Sequence, residues 1–159
     1  MSLLIKETVK RAEKALKEFD NSLTVIELSS SARTAKDAAN LLNCETGAIV
    51  KSLLFKTDKT FLLCLVAGDK RCSLKKLKNI TERKNISMAT PEDVKLQTGY
   101  TIGGVSPVGH LNKINIFVDK SLERFNDIFA AAGHPNCIFK INFNNLLKIT
   151  NGEVKDIIE

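Results

Sequence analysis

The stretch GAIVKSLLFKTDKTFLLCLVAG, residues 47–68, contains two apolar runs on either side of a short polar segment. Both runs are rich in residues that favour strands, and Thr-Asp-Lys at 57–59 is typical of a turn. The pattern predicts strands over 48–57 and 60–67, joined as a hairpin. A hairpin this apolar belongs at the centre of a sheet, so we expect the other elements to be arranged around it.

A lysine interrupts the first of these runs. Because side chains alternate between the two faces of a strand, Lys51 shares its face with Ile49, Leu53 and Phe55. An unpaired ammonium group among apolar side chains is costly. We therefore expect Lys51 either to be paired or to have a function.

Helices and short strands are predicted on both sides of the hairpin. The predicted helices are 3–19, 35–42 with Thr34 as its N-cap, 91–98 between Pro91 and Gly99, 122–133 ended by Gly133 before Pro135, and 142–149. Residues 73–80 are predicted to form a short helix or a turn. Further strands are predicted at 24–28, 86–89, 115–119, 137–142 and within 152–158. Because no repeat or linker interrupts the chain, residues 1–159 are predicted to form one α+β domain. Strands and helices do not alternate regularly, which argues against a doubly wound nucleotide-binding fold.

The composition is that of a globular protein. The 159 residues, 43% apolar and 26% charged, suffice for one hydrophobic core. No apolar run approaches the roughly 20 residues of a membrane span. The N-terminal segment carries acids and bases at helical spacing, unlike the apolar core of a signal peptide. We therefore expect no membrane partner and a cytoplasmic location.

The cysteines and histidines show no metal-binding spacing. Cys44, Cys64, Cys72 and Cys137 form no CxxC pair, and the chain has two histidines. A zinc site built from them would need an unusual arrangement. We expect no metal and no cofactor, and we expect the cysteines to be buried as small apolar side chains.

The net charge is +6, and many of the positively charged residues are concentrated in one stretch of the chain. Residues 70–84 contain seven lysines and arginines, opposed by Glu82 alone. Such a stretch is either a solvated helix face or a surface that contacts phosphates. Aromatic residues hardly interleave with it, so stacking on unpaired bases is not supported.

The segment TGYTIGGVSPVGH, residues 98–110, is rich in glycine and also holds a proline. Glycine lets a ligand approach the backbone closely, and proline stiffens the loop. These features indicate either a rigid loop that binds through its backbone groups or a purely structural turn. The spacing matches neither the Walker loop nor GxGxxG.

The segment AAAGHP, residues 130–135, contains the second histidine. At the end of a predicted helix, His134 could act as a general base, as a hydrogen-bond donor to a substrate, or as a cation that caps the helix. Its neighbours in sequence include no serine, cysteine or carboxylate, so the residues alone leave a structural role open.

In chain order, residues 30–150 contain the segments SARTAKDAANLL, GAIVKSLLFK, FLLCLVAGDKR, MATPEDVKLQTGYTIGGVSPVGH and IFVDKSLERFNDIFAAAGHP. Together these segments resemble the YbaK/prolyl-tRNA-synthetase-associated editing family. The resemblance implies a mixed, barrel-like β-sheet surrounded by helices. It also implies hydrolysis of the ester bond of mischarged aminoacyl-tRNA, without a metal.

The resemblance also implies site residues. The family's functional lysine matches Lys51, its GxxxP loop matches 103–107, and a histidine of its alanine-editing branch matches His134. The implied catalytic residues are Lys51, Gly103, Gly104 and His134, and the implied substrate-binding residues are Val105, Ser106, Pro107 and Gly133. A lysine on a sheet wall could hold a phosphate or ribose oxygen of the tRNA end.

The resemblance also indicates which amino acid is removed from the tRNA. The branch that removes cysteine from tRNA(Pro) typically has a serine where this chain has Ala-Ala-Ala-Gly at 130–133, which favours Ala-tRNA(Pro). Three alternatives stay open: a deacylase for Cys-tRNA(Pro) or another small amino acid, a non-catalytic tRNA-binding module, and a structural or regulatory protein. The expected partners are mischarged tRNA, contacted by Arg71, Lys75 and Lys76, and transiently an aminoacyl-tRNA synthetase.

Overall fold

A computed structural model describes residues 2–159, which form five α-helices and eight strands. The helices are α1 (Glu7–Phe19), α2 (Ala35–Leu42), α3 (Leu74–Thr81), α4 (Pro91–Thr98) and α5 (Phe143–Thr150). The strands are β1 (Ile26–Glu27), β2 (Val50–Thr57), β3 (Thr60–Ala67), β4 (Ile86–Met88), β5 (Asn115–Asp119), β6 (Ile128–His134), β7 (Cys137–Ile141) and β8 (Glu153–Lys155). Short 3₁₀ turns lie at Leu3–Ile5, Thr46–Ala48 and Lys120–Arg124.

The strands form two sheets. The larger sheet has the order β4-β2-β3-β5-β8, in which β3, β5 and β8 run parallel and the other pairs are antiparallel. The smaller sheet is antiparallel, with the order β1-β7-β6. A bridge between Ile49 and Phe129 links the two sheets just before β2. The predicted α+β class with a mixed sheet is confirmed, although the sheets do not close into a barrel.

The predicted hairpin is confirmed as the centre of the larger sheet. β2 and β3 pair along their whole length, from Val50 opposite Ala67 to Thr57 opposite Thr60. The turn between them contains Asp58, whose φ is +44°, a conformation that aspartate tolerates better than most residues. On its outer sides the hairpin pairs with β4 at Phe55–Thr57 and with β5 at Leu62–Leu65, which leaves the start of β2 without a further strand beside it.

Local capping explains where two helices begin. The Thr34 side chain accepts a hydrogen bond from the amide of Asp37, which makes Thr34 the N-cap of α2 as predicted. α4 begins with a capping box between Thr90 and Asp93, has a proline in its first turn, and ends at Gly99 with φ of +80°. α4 lies directly before the glycine-rich segment, so the end of α4 determines where that segment starts.

The predicted helix over 122–133 is wrong. A 3₁₀ turn ends at Arg124, and β6 then pairs with β7 in a hairpin whose two turn residues are Pro135 and Asn136. The alanines favour a helix, but pairing with the apolar β7 overrides their intrinsic preference. Gly133 therefore does not cap a helix. Glycine is required at this position because φ is +91° and because a Cβ there would lie 2.5 Å from the backbone oxygen of Thr8 in α1.

The larger sheet is buried on both faces. One face packs on a core that includes Leu54, Leu63 and Leu65 together with α1 and β6. The other face packs on a second cluster that includes Phe55, Val66 and Leu77 of α3. No helix among residues 2–159 is both long and apolar enough to cross a membrane.

Candidate functional site

A cavity of about 780 Å³ opens where the two sheets meet. Its walls come from residues 31–35, the start of β2, the glycine-rich segment and β6. Ala131 and Ile138, which are cross-strand partners in the smaller sheet, both line it. The combination of an apolar lining and a few polar groups is typical of a site for a small ligand.

Lys51 lies at the edge of this cavity, on β2. The side chain is half-buried, and its ammonium group donates a hydrogen bond to the backbone carbonyl of Lys70 in the turn after β3. Burial lowers the pKa of Lys51 from its ordinary value; Asp69 opposes this shift and Arg71 adds to it. An ammonium group has three donors, so a ligand in the cavity could accept from those not used by Lys70.

An ion pair holds the turn that carries the Lys70 carbonyl. Arg124 donates to both carboxylate oxygens of Asp69, at 2.8 and 3.2 Å, and also donates to the carbonyl of Ser121 at 2.7 Å. The hydrogen bond from Arg124 is the main cause that lowers the pKa of Asp69. These two residues are 55 positions apart, so sequence reasoning missed them, and no local pattern would have found them.

The glycine-rich loop lies against the end of β6. The Gly104 carbonyl accepts a hydrogen bond from the amide of Gly133 at 3.1 Å. A Cβ on Gly104 would lie 2.9 Å from the Cα of His134, which explains glycine at this position. Gly103, with φ of +92°, lies at the cavity, where its backbone is open to a ligand.

The remaining predicted residues of this loop have different positions. Val105 lines the cavity. Ser106 is fully buried, and its hydroxyl accepts a hydrogen bond from the amide of Val108. Pro107 lines a separate surface depression beside α1. The structure therefore places Gly103 and Val105 in the wall of the cavity, and Gly104, Ser106 and Pro107 behind it.

His134 ends β6 and lines the cavity next to the glycine-rich loop. Its Nδ1 accepts a hydrogen bond from the amide of Asn136 at 3.0 Å, so the neutral ring carries its proton on Nε2. Burial, with a smaller effect from Lys6, lowers the pKa of His134 from its ordinary value. The ring is therefore neutral near pH 7 and can donate a hydrogen bond from Nε2.

The basic stretch begins beside Lys51 and continues along α3. Arg71 is exposed and close enough to Lys51 to affect its pKa, and Lys75 is exposed in the first turn of α3. Lys76 instead pairs with Asp156 at 2.9 Å, which partly neutralises it. Of these three residues, Arg71 and Lys75 are therefore the ones whose charges are unpaired within residues 2–159.

The cysteines and acidic residues do not suggest a metal site. Within the described residues, 2–159, no three His, Cys, Asp or Glu side chains lie together as metal ligands would. All four cysteines are free thiols; Cys64 and Cys137 are buried as expected, whereas Cys44 and Cys72 are only partly buried.

The sequence matches a family model described as the aminoacyl-tRNA editing domain over residues 29–149. The chain is 30% identical over 138 residues to the uncharacterized protein YwhH of Bacillus subtilis, covering 86% of this chain and 87% of that protein. It is 27% identical over 125 residues to EbsC of Enterococcus faecalis, a proposed Cys-tRNA(Pro)/Cys-tRNA(Cys) deacylase, covering 78% of this chain and 76% of that one.

A solved structure is similar over nearly the whole chain. It is that of a proposed trans-editing enzyme for prolyl-tRNA synthetase, with a TM-score of 0.93 and 37% sequence identity. The similarity covers 98% of this chain and 99% of that protein. The shared fold therefore includes α1, which lies outside the residues that the family model matches.

Proposed function

This chain belongs to the aminoacyl-tRNA editing domain family and is a hydrolase of aminoacyl-tRNA, and we propose that its substrate is Ala-tRNA(Pro). We also propose that it acts in trans, on tRNA that prolyl-tRNA synthetase has mischarged and released. The observation that carries the proposal is a single cavity that brings together Lys51, the backbone of Gly103 and a neutral His134.

The chemistry that these groups can support is hydrolysis of an ester. Water adds to the ester carbonyl carbon, the bond to the ribose oxygen breaks, and that oxygen takes up a proton, which leaves free alanine and uncharged tRNA. The carbonyl oxygen gains negative charge on the way, and the Nε2 proton of His134 and the ammonium of Lys51 can stabilise it. His134 does not serve as the base, because its unprotonated nitrogen already accepts from Asn136.

Positioning provides much of the rate in this account. An aminoacyl ester is intrinsically labile, so holding it beside a water molecule in a fixed geometry is effective without a strong nucleophile. The neighbouring ribose hydroxyl of the substrate can assist proton transfer, as the family resemblance implies. The close packing of Gly104 against the backbone of His134 supports this positioning role.

The residues at 130–133 support alanine as the acyl group. They include no serine, whereas the resemblance gives the branch that removes cysteine a serine in this segment. Ala131 lines the cavity, so this segment is in a position to contact the acyl group. The similarity to EbsC favours Cys-tRNA(Pro) as the second candidate.

The tRNA would reach the cavity along the basic surface of α3. We propose contacts from Arg71, Lys75 and Lys76 to phosphates of the acceptor stem, because that surface begins beside Lys51. The proposal includes a transient contact with the synthetase, action in the cytoplasm, and a single domain over residues 1–159. A module that binds tRNA without hydrolysis is the alternative from another class.

A substrate panel tests the proposal. Wild-type protein is incubated with Ala-, Cys-, Ser- and Pro-tRNA(Pro), and the remaining ester is followed with time. We expect rapid loss of alanine and little loss of proline. Faster loss of cysteine would transfer the proposal to Cys-tRNA(Pro). Binding of tRNA with no hydrolysis of any member would favour the non-catalytic module.

A further inference from the structure

Arg11, on α1, joins the two ends of the glycine-rich loop. Its Nε donates to the carbonyl of Gly109 at 2.8 Å, and one Nη donates to the carbonyl of Thr98 at 3.4 Å. Thr98 is the last residue of α4 and Gly109 lies near the end of the glycine-rich loop, so one guanidinium group links residues at the two ends of that loop. Three of the residues between these anchors, Ile102, Gly103 and Val105, line the cavity.

The arginine is itself held from two sides. Glu7, one helical turn earlier, accepts two hydrogen bonds from it at 2.9 and 3.1 Å. Its guanidinium carbon lies 4.6 Å from the centre of the Tyr100 ring, within the range of a cation–π contact. The side chain is 21% exposed, so water competes only partly for these bonds.

Tyr100 and His110 extend this arrangement into the loop. Tyr100 is fully buried, and its hydroxyl donates to the carbonyl of Val108 at 2.8 Å. Burial raises the pKa of Tyr100 to about 12, so the hydroxyl keeps its proton. The Nε2 of His110 donates to the carbonyl of Ser106 at 2.6 Å. Three side chains thus fix three backbone carbonyls between residues 106 and 109.

The same helix supports the neighbouring wall of the cavity, which the end of β6 forms. α1 packs on β6, and Gly133 is so close to it that a Cβ would meet the backbone of Thr8 and Val9. The glycine-rich loop and the end of β6 therefore both rest on α1, although α1 lies outside the matched family region.

We infer that Arg11 is a positioning residue of the editing reaction, which holds Gly103 and Val105 in the geometry that receives the ester. This inference rests on the proposed function. Without a link between its ends, a loop with glycines at 99, 103, 104 and 109 would sample many backbone conformations. A lysine cannot replace the arginine, because a single ammonium lacks the planar fork that reaches both carbonyls.

Three variants of Arg11 and one control test the inference. Arg11→Lys and Arg11→Met remove the bridge while keeping a long side chain, and Arg11→Ala leaves space for free guanidinium. Lys14→Met is the control, since Lys14 is exposed on the same helix. Single-turnover and steady-state deacylation of Ala- and Cys-tRNA(Pro) are measured, together with hydrogen exchange of the backbone amides at 101–109.

We expect kcat to fall about tenfold or more in all three variants, with less than about a twofold change in KM for tRNA, because orientation is lost rather than tRNA contacts. Exchange of the loop amides should become faster while that of α1 and β3 is unchanged. Millimolar guanidinium should partly restore Arg11→Ala and leave Lys14→Met unaffected.

Two results would overturn the inference. One is unchanged kcat and unchanged loop exchange in Arg11→Met. The other is a loss of activity that follows the unfolded fraction, with faster exchange throughout α1 and no rescue, which is what a merely structural role predicts. If the wild type hydrolyses neither tRNA, the proposed function fails and the catalytic role of Arg11 fails with it, whereas the exchange data still show whether Arg11 fixes the loop.

Discussion

The ammonium group of Lys51 donates a hydrogen bond to the backbone carbonyl of Lys70. This contact explains how a lysine is tolerated in an apolar strand, since the charge lies at the cavity edge and one of its donors is satisfied within the protein. A peptide carbonyl is a neutral partner. A substrate phosphate or a developing oxyanion would therefore compete well for the same ammonium.

The pair of Arg124 and Asp69 should matter more for activity than for stability. Arg124→Ala frees the turn that carries the Lys70 carbonyl, so Lys51 loses a fixed orientation. We expect kcat to fall about tenfold, whereas the free energy of unfolding should change by less than about 1 kcal/mol because the pair is largely exposed. Deacylation rates and urea denaturation measure the two effects.

The control for this prediction is Arg83→Ala. Arg83 pairs with Asp58 at 3.8 Å, in the hairpin turn at the far end of β2 from Lys51. It should leave both quantities unchanged. Equal loss of activity in the two variants would show that the turn at 68–71 has no special role.

His134 should be replaceable by a residue that keeps a donor. Glutamine can place its amide near the position of Nε2, so His134→Gln should keep most of the activity. His134→Ala removes the donor and should lower kcat by roughly 10²-fold, the typical effect of losing one group that stabilises developing charge. Equal and complete loss in both variants, measured as single-turnover rates, would instead indicate a base or nucleophile.

Stability should decrease as the pH falls below about 6.5, the ordinary pKa of histidine. Burial lowers the pKa of His110 in the folded protein, so below about 6.5 the unfolded chain takes up a proton that the folded chain does not. The free energy of unfolding therefore decreases as the pH falls from about 6.5 toward the lowered pKa of His110. Above about pH 6.5 the contribution of His110 is fully present. His134 contributes with the same sign.

Urea denaturation across this pH range, for wild type and His110→Gln, measures the effect of His110. The variant should show a flatter dependence, while His134→Gln should remove a smaller part because His134 is less buried than His110. The pKa of Asp69 is also lowered, but its contribution to the free energy of unfolding is lost only as the pH falls below the ordinary pKa of a carboxylate. Titration of Asp69 therefore does not overlap with that of His110. If His110→Gln showed the same pH dependence of stability as the wild type, the assignment of this dependence to His110 would be contradicted.

The lysines on α3 should differ in their effect on tRNA binding. Lys75 has an exposed charge, whereas Lys76 already pairs with Asp156. If Lys75 contacts a phosphate, Lys75→Gln should reduce the slope of log K against log salt by about 0.9, and Lys76→Gln should reduce it less. Titrations of tRNA at several salt concentrations measure the slope. An unchanged slope for Lys75→Gln would remove it from the interface.

Local signals predicted much of the fold. The apolar runs with a polar turn predicted the hairpin at 50–67, and Thr34 and Pro91 predicted where two helices begin. The segment 122–133 was predicted wrongly because the preference of its alanines for helix is weaker than pairing with β7. As a result, His134 was predicted to follow the end of a helix, whereas it is the last residue of a strand.

The candidate site was predictable only where a residue type was conspicuous. Lys51 stood out against apolar neighbours, and Gly103 stood out in a glycine-rich segment. The residues that hold these groups did not stand out, because Arg11 reaches Gly109 across 98 positions and Arg124 reaches Asp69 across 55. Long-range polar contacts depend on the finished fold, and sequence spacing does not reveal them.

The account depends most directly on Lys51. The decisive measurement is the single-turnover rate of Ala-tRNA(Pro) deacylation by wild type, Lys51→Ala and the control Lys56→Ala, which changes an exposed lysine on the same strand. We predict a loss of roughly 10²-fold for Lys51→Ala and no loss for Lys56→Ala. A fully active Lys51→Ala would contradict the assignment of this cavity as the editing site.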